Sequence, residues 1–97
     1  MHVISKRALI AFWEKHSDSS QQLITWHTEA KKGIWRSPND IKKEYALASI
    51  IGDNRVVFNI CGNKYPLVVK INYEMGWVFI RFIGTHKEYD KINAEKI

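Results

Sequence analysis

Cysteine is nearly missing from this 97-residue sequence. Cys61 stands alone, which excludes an intrachain disulfide and any cysteine-rich zinc site and fits a reducing compartment. No stretch approaches the roughly 18 consecutive apolar residues of a membrane span. The opening MHVISKRALI lacks the apolar segment of a secretory signal, so a soluble, cytoplasmic protein with no membrane partner is expected. Nucleotide and metal signatures are absent too: there is no Walker-type loop, no GxGxxG, no HExxH and no nucleophile elbow. The four histidines, His2, His16, His27 and His86, are scattered without ligand spacing. Neither a metal nor a cofactor is expected, and His2, His16 and His27 read as structural or surface residues. With no linker or internal repeat, the chain reads as one domain over residues 1–97, long enough for one modest core.

What is present is ordinary globular material with a basic bias. Hydrophobic residues make up 45% of the chain and charged ones 26%, and four tryptophans are available to fill a core. The net charge of +5 favours a polyanionic partner. Residues 1–50 hold eight Lys/Arg against five Asp/Glu, and residues 51–97 hold seven against five, so no basic tail exists and folding must assemble any anion site.

Helical grammar comes first along the chain. HVIS is short enough for a leading strand, Ser5 stands as an N-cap, and Leu9, Phe12, Trp13 and His16 mark one face of a helix. A second helix is expected to open on a capping box, Asp18 with Gln21 or Ser19 with Gln22, and to stop at Gly33 after Lys31 and Lys32. Ser37, Pro38 and Asp40 announce a third, short one. From Leu47 the period changes to two, with LASII, RVVFNI, YPLVVKI and WVFIRFI as strands separated by turns. After Gly84, THKEYDKINAEKI reads as a short polar helix. The fold class is α+β: helices on one face of a mostly antiparallel sheet, the other face available to a ligand.

Alternation assigns the faces. Phe58 and Ile60 belong to the core, which puts Arg55, Val57 and Asn59 on the ligand side. In the next strand Tyr65, Leu67, Val69 and Ile71 look buried, so Pro66 and Lys70 join the open face. Trp77, Phe79, Arg81 and Ile83 oppose Val78, Ile80 and Phe82, and Arg81 should be either paired with Glu88 or Asp90 or turned to the open side. Pro66 raises a separate question, because a proline in a central strand donates no ladder hydrogen bond.

RFIGTHKEYDK gathers Arg81, His86, Lys87, Tyr89 and Lys91 just past a core strand. Histidine exchanges a proton near neutral pH, cations hold a phosphate and the charge developing on it, and tyrosine stacks on a base or donates a proton. In a helical turn His86 and Tyr89 share a face. Lys64 at a hairpin and Arg55 at a strand start add cations; a solvated charged helix is the competing reading.

GDNRVVFNI, GNKY, LVV.INYE, VFIRFIGTHKEYDKI and the opening VISKRAL..FWEKH closely resemble the HigB family of type II toxin–antitoxin toxins, within the RelE-like mRNA interferase superfamily. The resemblance spans nearly the whole chain. It implies an endoribonuclease that cuts mRNA, typically in the ribosomal A site, and that a HigA-type helix-turn-helix antitoxin neutralises; operator DNA would be reached only through that antitoxin. The implied chemistry is metal-independent, the RNA 2′-OH attacking the adjacent phosphate to leave a 2′,3′-cyclic phosphate and a 5′-OH. Residue by residue, the resemblance makes His86 and Tyr89 the acid and base, in either order, with Arg81 beside them on the phosphate. Lys64 and Arg55 match as phosphate-binding positions, and Lys87, Lys70 and Asn59 complete the expected RNA contacts.

Two positions depart from the family pattern: Pro66 stands where an arginine is usual, and Cys61 where a lysine is. A cation aimed at the transition state is worth on the order of a hundredfold in rate. The alternative reading is therefore a weakened or inactive RNA- and antitoxin-binding module of the same fold.

Overall fold

A computed structural model describes all 97 residues. In chain order the elements are β1 (His2–Ile4), α1 (Lys6–Lys15), a 3₁₀ turn (Ser17–Ser19), α2 (Ser20–Lys32), α3 (Pro38–Glu44), β2 (Ser49–Ile51), β3 (Arg55–Ile60), β4 (Tyr65–Asn72), β5 (Trp77–Ile83) and α4 (His86–Tyr89). The strands form one sheet, ordered β1-β5-β4-β3-β2. All neighbours are antiparallel except β1, which lies parallel to β5. The α+β expectation holds, leading strand included.

α1, α2 and α3 cover one face, because their apolar positions recur at helical spacing and meet the inward residues of the strands. Leu9, Leu23, Trp26, Ala30 and Ile41 join Val56, Phe58, Ile60, Leu67, Val69, Ile71 and Val78 in one core. Trp26 stands edge-on to the Phe58 ring at 5.3 Å, and Trp35 stacks on it at 6.0 Å. Truncating Phe58 to alanine would cost about 3–5 kcal/mol.

Two local expectations fail. The strand expected over LASII begins only at Ser49, leaving Leu47 84% exposed. The capping box expected at the start of α2 does not form: Ser19 is the N-cap and makes no side-chain cap bond. The Asp18 carboxylate instead accepts from Lys64 Nζ at 2.6 Å and from the Tyr65 hydroxyl at 2.8 Å, while Gln22 Oε1 accepts from the Cys61 amide. Tertiary partners on the β3–β4 turn have claimed the side chains that local spacing assigns to capping.

Pro66 sits in β4 opposite Asn59 of β3. The Ile71 amide donates to the Asn54 carbonyl on the β3 side, so the even-numbered amides of β4 point toward β5. Pairing with β5 ends at Leu67 opposite Ile83, one residue short of Pro66. The missing N–H therefore faces a position where the neighbouring strand has already stopped, which lets the sheet accept the proline.

A β-bulge changes the faces of β5. Val69 pairs with Ile80 but Val68 with Phe82, leaving Arg81 as the extra residue. Beyond it the alternation shifts by one, so Ile83 turns to the helix-side core and Phe82 to the second face, the reverse of the sequence expectation.

The second face is also not freely open. After β5 the chain folds back across it: α4 packs on β4, and the Ile97 carbonyl reaches Arg55 Nε at 2.8 Å. Val57, Pro66 and Val68 are buried beneath this return, which corrects the expectation that Pro66 faces a ligand. The side toward β5 stays accessible.

Candidate active site

The turn that carries His86 and Tyr89 is built by its flanks. Thr85 Oγ1 accepts from the Glu88 amide at 3.2 Å and Glu88 Oε1 accepts from the Thr85 amide at 2.9 Å, a reciprocal capping box. The Thr85 amide, and after it the Thr85 hydroxyl, donate to the Glu88 carboxyl and hold it below its usual pKa. Just before them, buried Gly84 leaves no room for a side chain: a Cβ there would lie 2.6 Å from the Phe82 ring and 2.9 Å from Glu88 Oε1. Four residues of helix are thus fixed by a glycine, a cap and an aromatic neighbour rather than by length.

On that turn the His86 and Tyr89 rings stand edge to face with centroids 6.0 Å apart, and Tyr89 leans on Phe82 at 6.2 Å. His86 is exposed and Tyr89 half-buried, so one ring meets solvent freely while the other is held by the sheet. Arg81 is exposed and forms no ion pair, with neither Glu88 nor Asp90; its guanidinium lies 5.6 Å from the Phe79 ring centre. The bulge turns it out of the sheet onto the rim of two depressions. One, about 430 Å³, runs between α1 and the end of β5 and is also lined by Lys15, His16 and Glu88. The other, about 510 Å³, lies on the second face and includes Asn54, Lys70, Asn72 and Phe79.

The remaining expected residues scatter. Lys87 is exposed on α4, and Lys70 is half-buried beside Phe79, its register partner. Lys64 is exposed and paired with Asp18, which raises the lysine pKa and lowers that of the carboxyl. Arg55 is only 5% exposed; it donates to Asp53 Oδ2 at 2.8 Å and, through Nε and Nη2, to the Ile97 carbonyl. Asn59 lines a separate 430 Å³ hollow with Tyr45, Leu47 and Gly62. No group of three or more His, Cys, Asp or Glu side chains is arranged to hold a metal ion.

His16, which spacing places on one face of α1 and which reads as a structural or surface residue, lies in the groove. It stacks on Phe12 at 4.4 Å, lies 5.3 Å from the Tyr65 ring, and lines the same groove as Arg81 and Glu88. Its helical neighbour Phe12 was legible as a core position, but only the tertiary approach of α1 to β5 brings the imidazole to the site.

Residues 19–92 match the model of the HigB toxin family, RelE-like toxic components of toxin–antitoxin systems. The chain belongs to this family. Among curated relatives, the mRNA interferase toxin HigB of Escherichia coli K12 and the mRNA interferase HigB of Shigella flexneri are each 30% identical over 96 residues, covering 97% of this chain and 92% of theirs. The matched family region contains the Arg81 bulge and the His86–Tyr89 turn, while Lys15 and His16 of the groove lie just before it. No helix is long and apolar enough to cross a membrane.

Proposed function

We propose that the chain is an mRNA interferase, an endoribonuclease whose site is the α4 turn together with the bulged end of β5. The observation that carries this reading is the pairing of an exposed imidazole with a half-buried phenol, 6.0 Å between ring centres, on a turn that follows closely in the chain on an arginine with no carboxylate partner. The names of the two relatives support the same class of substrate. One of His86 and Tyr89 takes the proton of the RNA 2′-OH as that oxygen attacks the adjacent phosphorus; the other returns a proton to the departing 5′ oxygen. Arg81 faces the charge that accumulates on the phosphate between them. Lys87 and Lys70 hold the backbone to either side, with Lys15 and His16 lining the approach from α1. Lys64, paired with Asp18, and Arg55, enclosed by the returning chain, have lesser parts. The reading includes cleavage of mRNA on the ribosome, hence in the cytoplasm, and silencing by a HigA-type antitoxin.

A second reading, an RNA- and antitoxin-binding module with little cleavage, is favoured by one observation: two of the expected cations, Arg55 and Lys64, are already occupied by carboxylates. Induction of the chain without an antitoxin separates the two. Under the first reading growth stops, messages are cut with 2′,3′-cyclic phosphate ends, and His86→Ala slows cleavage by at least about a hundredfold. Growth arrest with intact messages would favour the binding module, and full cleavage by His86→Ala would remove this residue from the chemistry.

A further inference from the structure

On the helix side of the sheet, away from α4, Lys6 of α1 meets His27, Thr28, Lys31 and Lys32 of α2 around a cleft of about 500 Å³ with no hydrophobic residue in its lining. We propose that this cleft is a second RNA contact, gripping the phosphate backbone of an RNA segment other than the one at His86.

The charges around it are unbalanced. Both ion pairs of the molecule lie elsewhere, Asp53 with Arg55 and Asp18 with Lys64. Glu29, the acidic residue of α2, accepts a hydrogen bond from the Tyr45 hydroxyl. The first turn of α1 contains no acidic residue. Lys31 and Lys32 could be explained without a ligand, since cations in the last turn of a helix complement its dipole. Lys6 could not: it occupies the first turn of its helix, where a positive charge is unfavourable, and it faces two further lysines. His27 registers the crowding, its pKa lowered by burial and by the charges of Lys6 and Lys31. An arrangement of mutually repelling cations is relieved by a polyanion threaded between them.

The lining also indicates which polyanion. No Phe, Tyr or Trp lines the cleft and its one ring, the imidazole of His27, is half-buried, so cations outnumber stacking surfaces and the contact reads mainly backbone phosphates. Without an apolar side chain in it there is nothing to insert among lipid tails, which disfavours a membrane surface. The site goes beyond the cleavage reading and does not depend on it, because it needs no attacking hydroxyl.

Binding of the full chain to a fluorescent 2′-O-methyl RNA oligonucleotide, which the chemistry at His86 cannot cut, tests the cleft across a range of salt concentrations. Lys6→Gln and Lys31→Gln should each reduce the slope of log affinity against log salt by about 1, and the double variant should bind at least about tenfold more weakly near physiological salt. Lys43→Gln, at an exposed lysine of α3 outside both sites, should leave affinity and slope like those of the unaltered chain, so loss of one charge elsewhere and loss of this contact remain separable. Circular dichroism and melting of each variant establish that it is folded; if the double variant is not, Lys32→Gln joins the single variants in the same comparison. Unchanged affinity and slope in folded variants would overturn the proposal. So would cleft-dependent binding to phosphatidylcholine–phosphatidylglycerol vesicles with unaltered RNA binding.

Discussion

Arg55 and Arg81 project from β3 and β5, the two strands that flank β4 in one sheet, and alternation assigns both to the face away from the helices, yet they end in opposite circumstances. Arg55 is enclosed by the returning chain and saturated by Asp53 and the Ile97 carbonyl; Arg81 stands exposed over Phe79 with no ion pair. The difference arises from two features that a period of two does not contain. One is the bulge that turns Arg81 outward, and the other is the last segment of the chain, which comes to rest on Arg55 and leaves the β5 side clear. A face is set by local spacing, whereas availability on that face is set by whatever else the chain lays over it.

The contrast is sharpest in the effect of removing each guanidinium. Arg81→Ala should lower mRNA cleavage by about a hundredfold with an unchanged melting temperature, since an exposed unpaired cation contributes to charge stabilisation and little to folding. Arg55→Ala should do the reverse: stability falls by about 2 kcal/mol, roughly 10 °C in melting temperature for a domain of this size, with cleavage by the folded fraction retained. Equal losses of activity at equal stability in the two variants would dissolve the distinction.

Pro66 carries the comparison to the arginine usual in the family. It lies under the returning chain, so Pro66→Arg should destabilise the protein by about 1–3 kcal/mol without raising cleavage. A gain in toxicity at unchanged melting temperature would show that this position can reach the site after all.

The smallest effect concerns Lys64 and Asp18. Hydrogen bonds from Lys64 and Tyr65 hold the Asp18 carboxyl below its ordinary value of 3.8, so their stabilisation is fully present above that pH and is lost as pH falls through the lower folded value. Asp18→Asn should therefore flatten the acid side of the stability profile below about pH 4 and release Lys64, increasing the salt dependence of RNA binding. Superimposable melting-temperature profiles for the two proteins would show the pair to be inert.

Much of this was legible in the residues. RVVFNI and WVFIRFI match β3 and β5 end to end, YPLVVKI falls one residue short of β4, and the helix from Pro38 begins where Ser37 and Pro38 place it. Turn chemistry and period are local properties, so they survive folding. The misreadings are all tertiary. Asp18 looked like a capping residue because its partners lie 46 and 47 positions away; Phe82 and Ile83 exchanged faces because a bulge has no spacing signature; His16 reached the groove only through the docking of α1. At the candidate site, the shared turn of His86 and Tyr89 could be read from their spacing, while the enclosure of Arg55 and Pro66 could not.

The parallel pairing of β1 with β5 has a consequence in time. His2 lies beside Trp77, so β1 waits for β5, and the sheet edge closes only once β5 is available. Arg81 lies within that strand, and His86 and Tyr89 follow it almost at once in order of synthesis. A chain interrupted before β5 would hold most of the core residues and none of the three groups proposed to cut RNA. A protein whose proposed substrate is the message under translation would thus acquire its chemistry only after almost all of its core residues have been made.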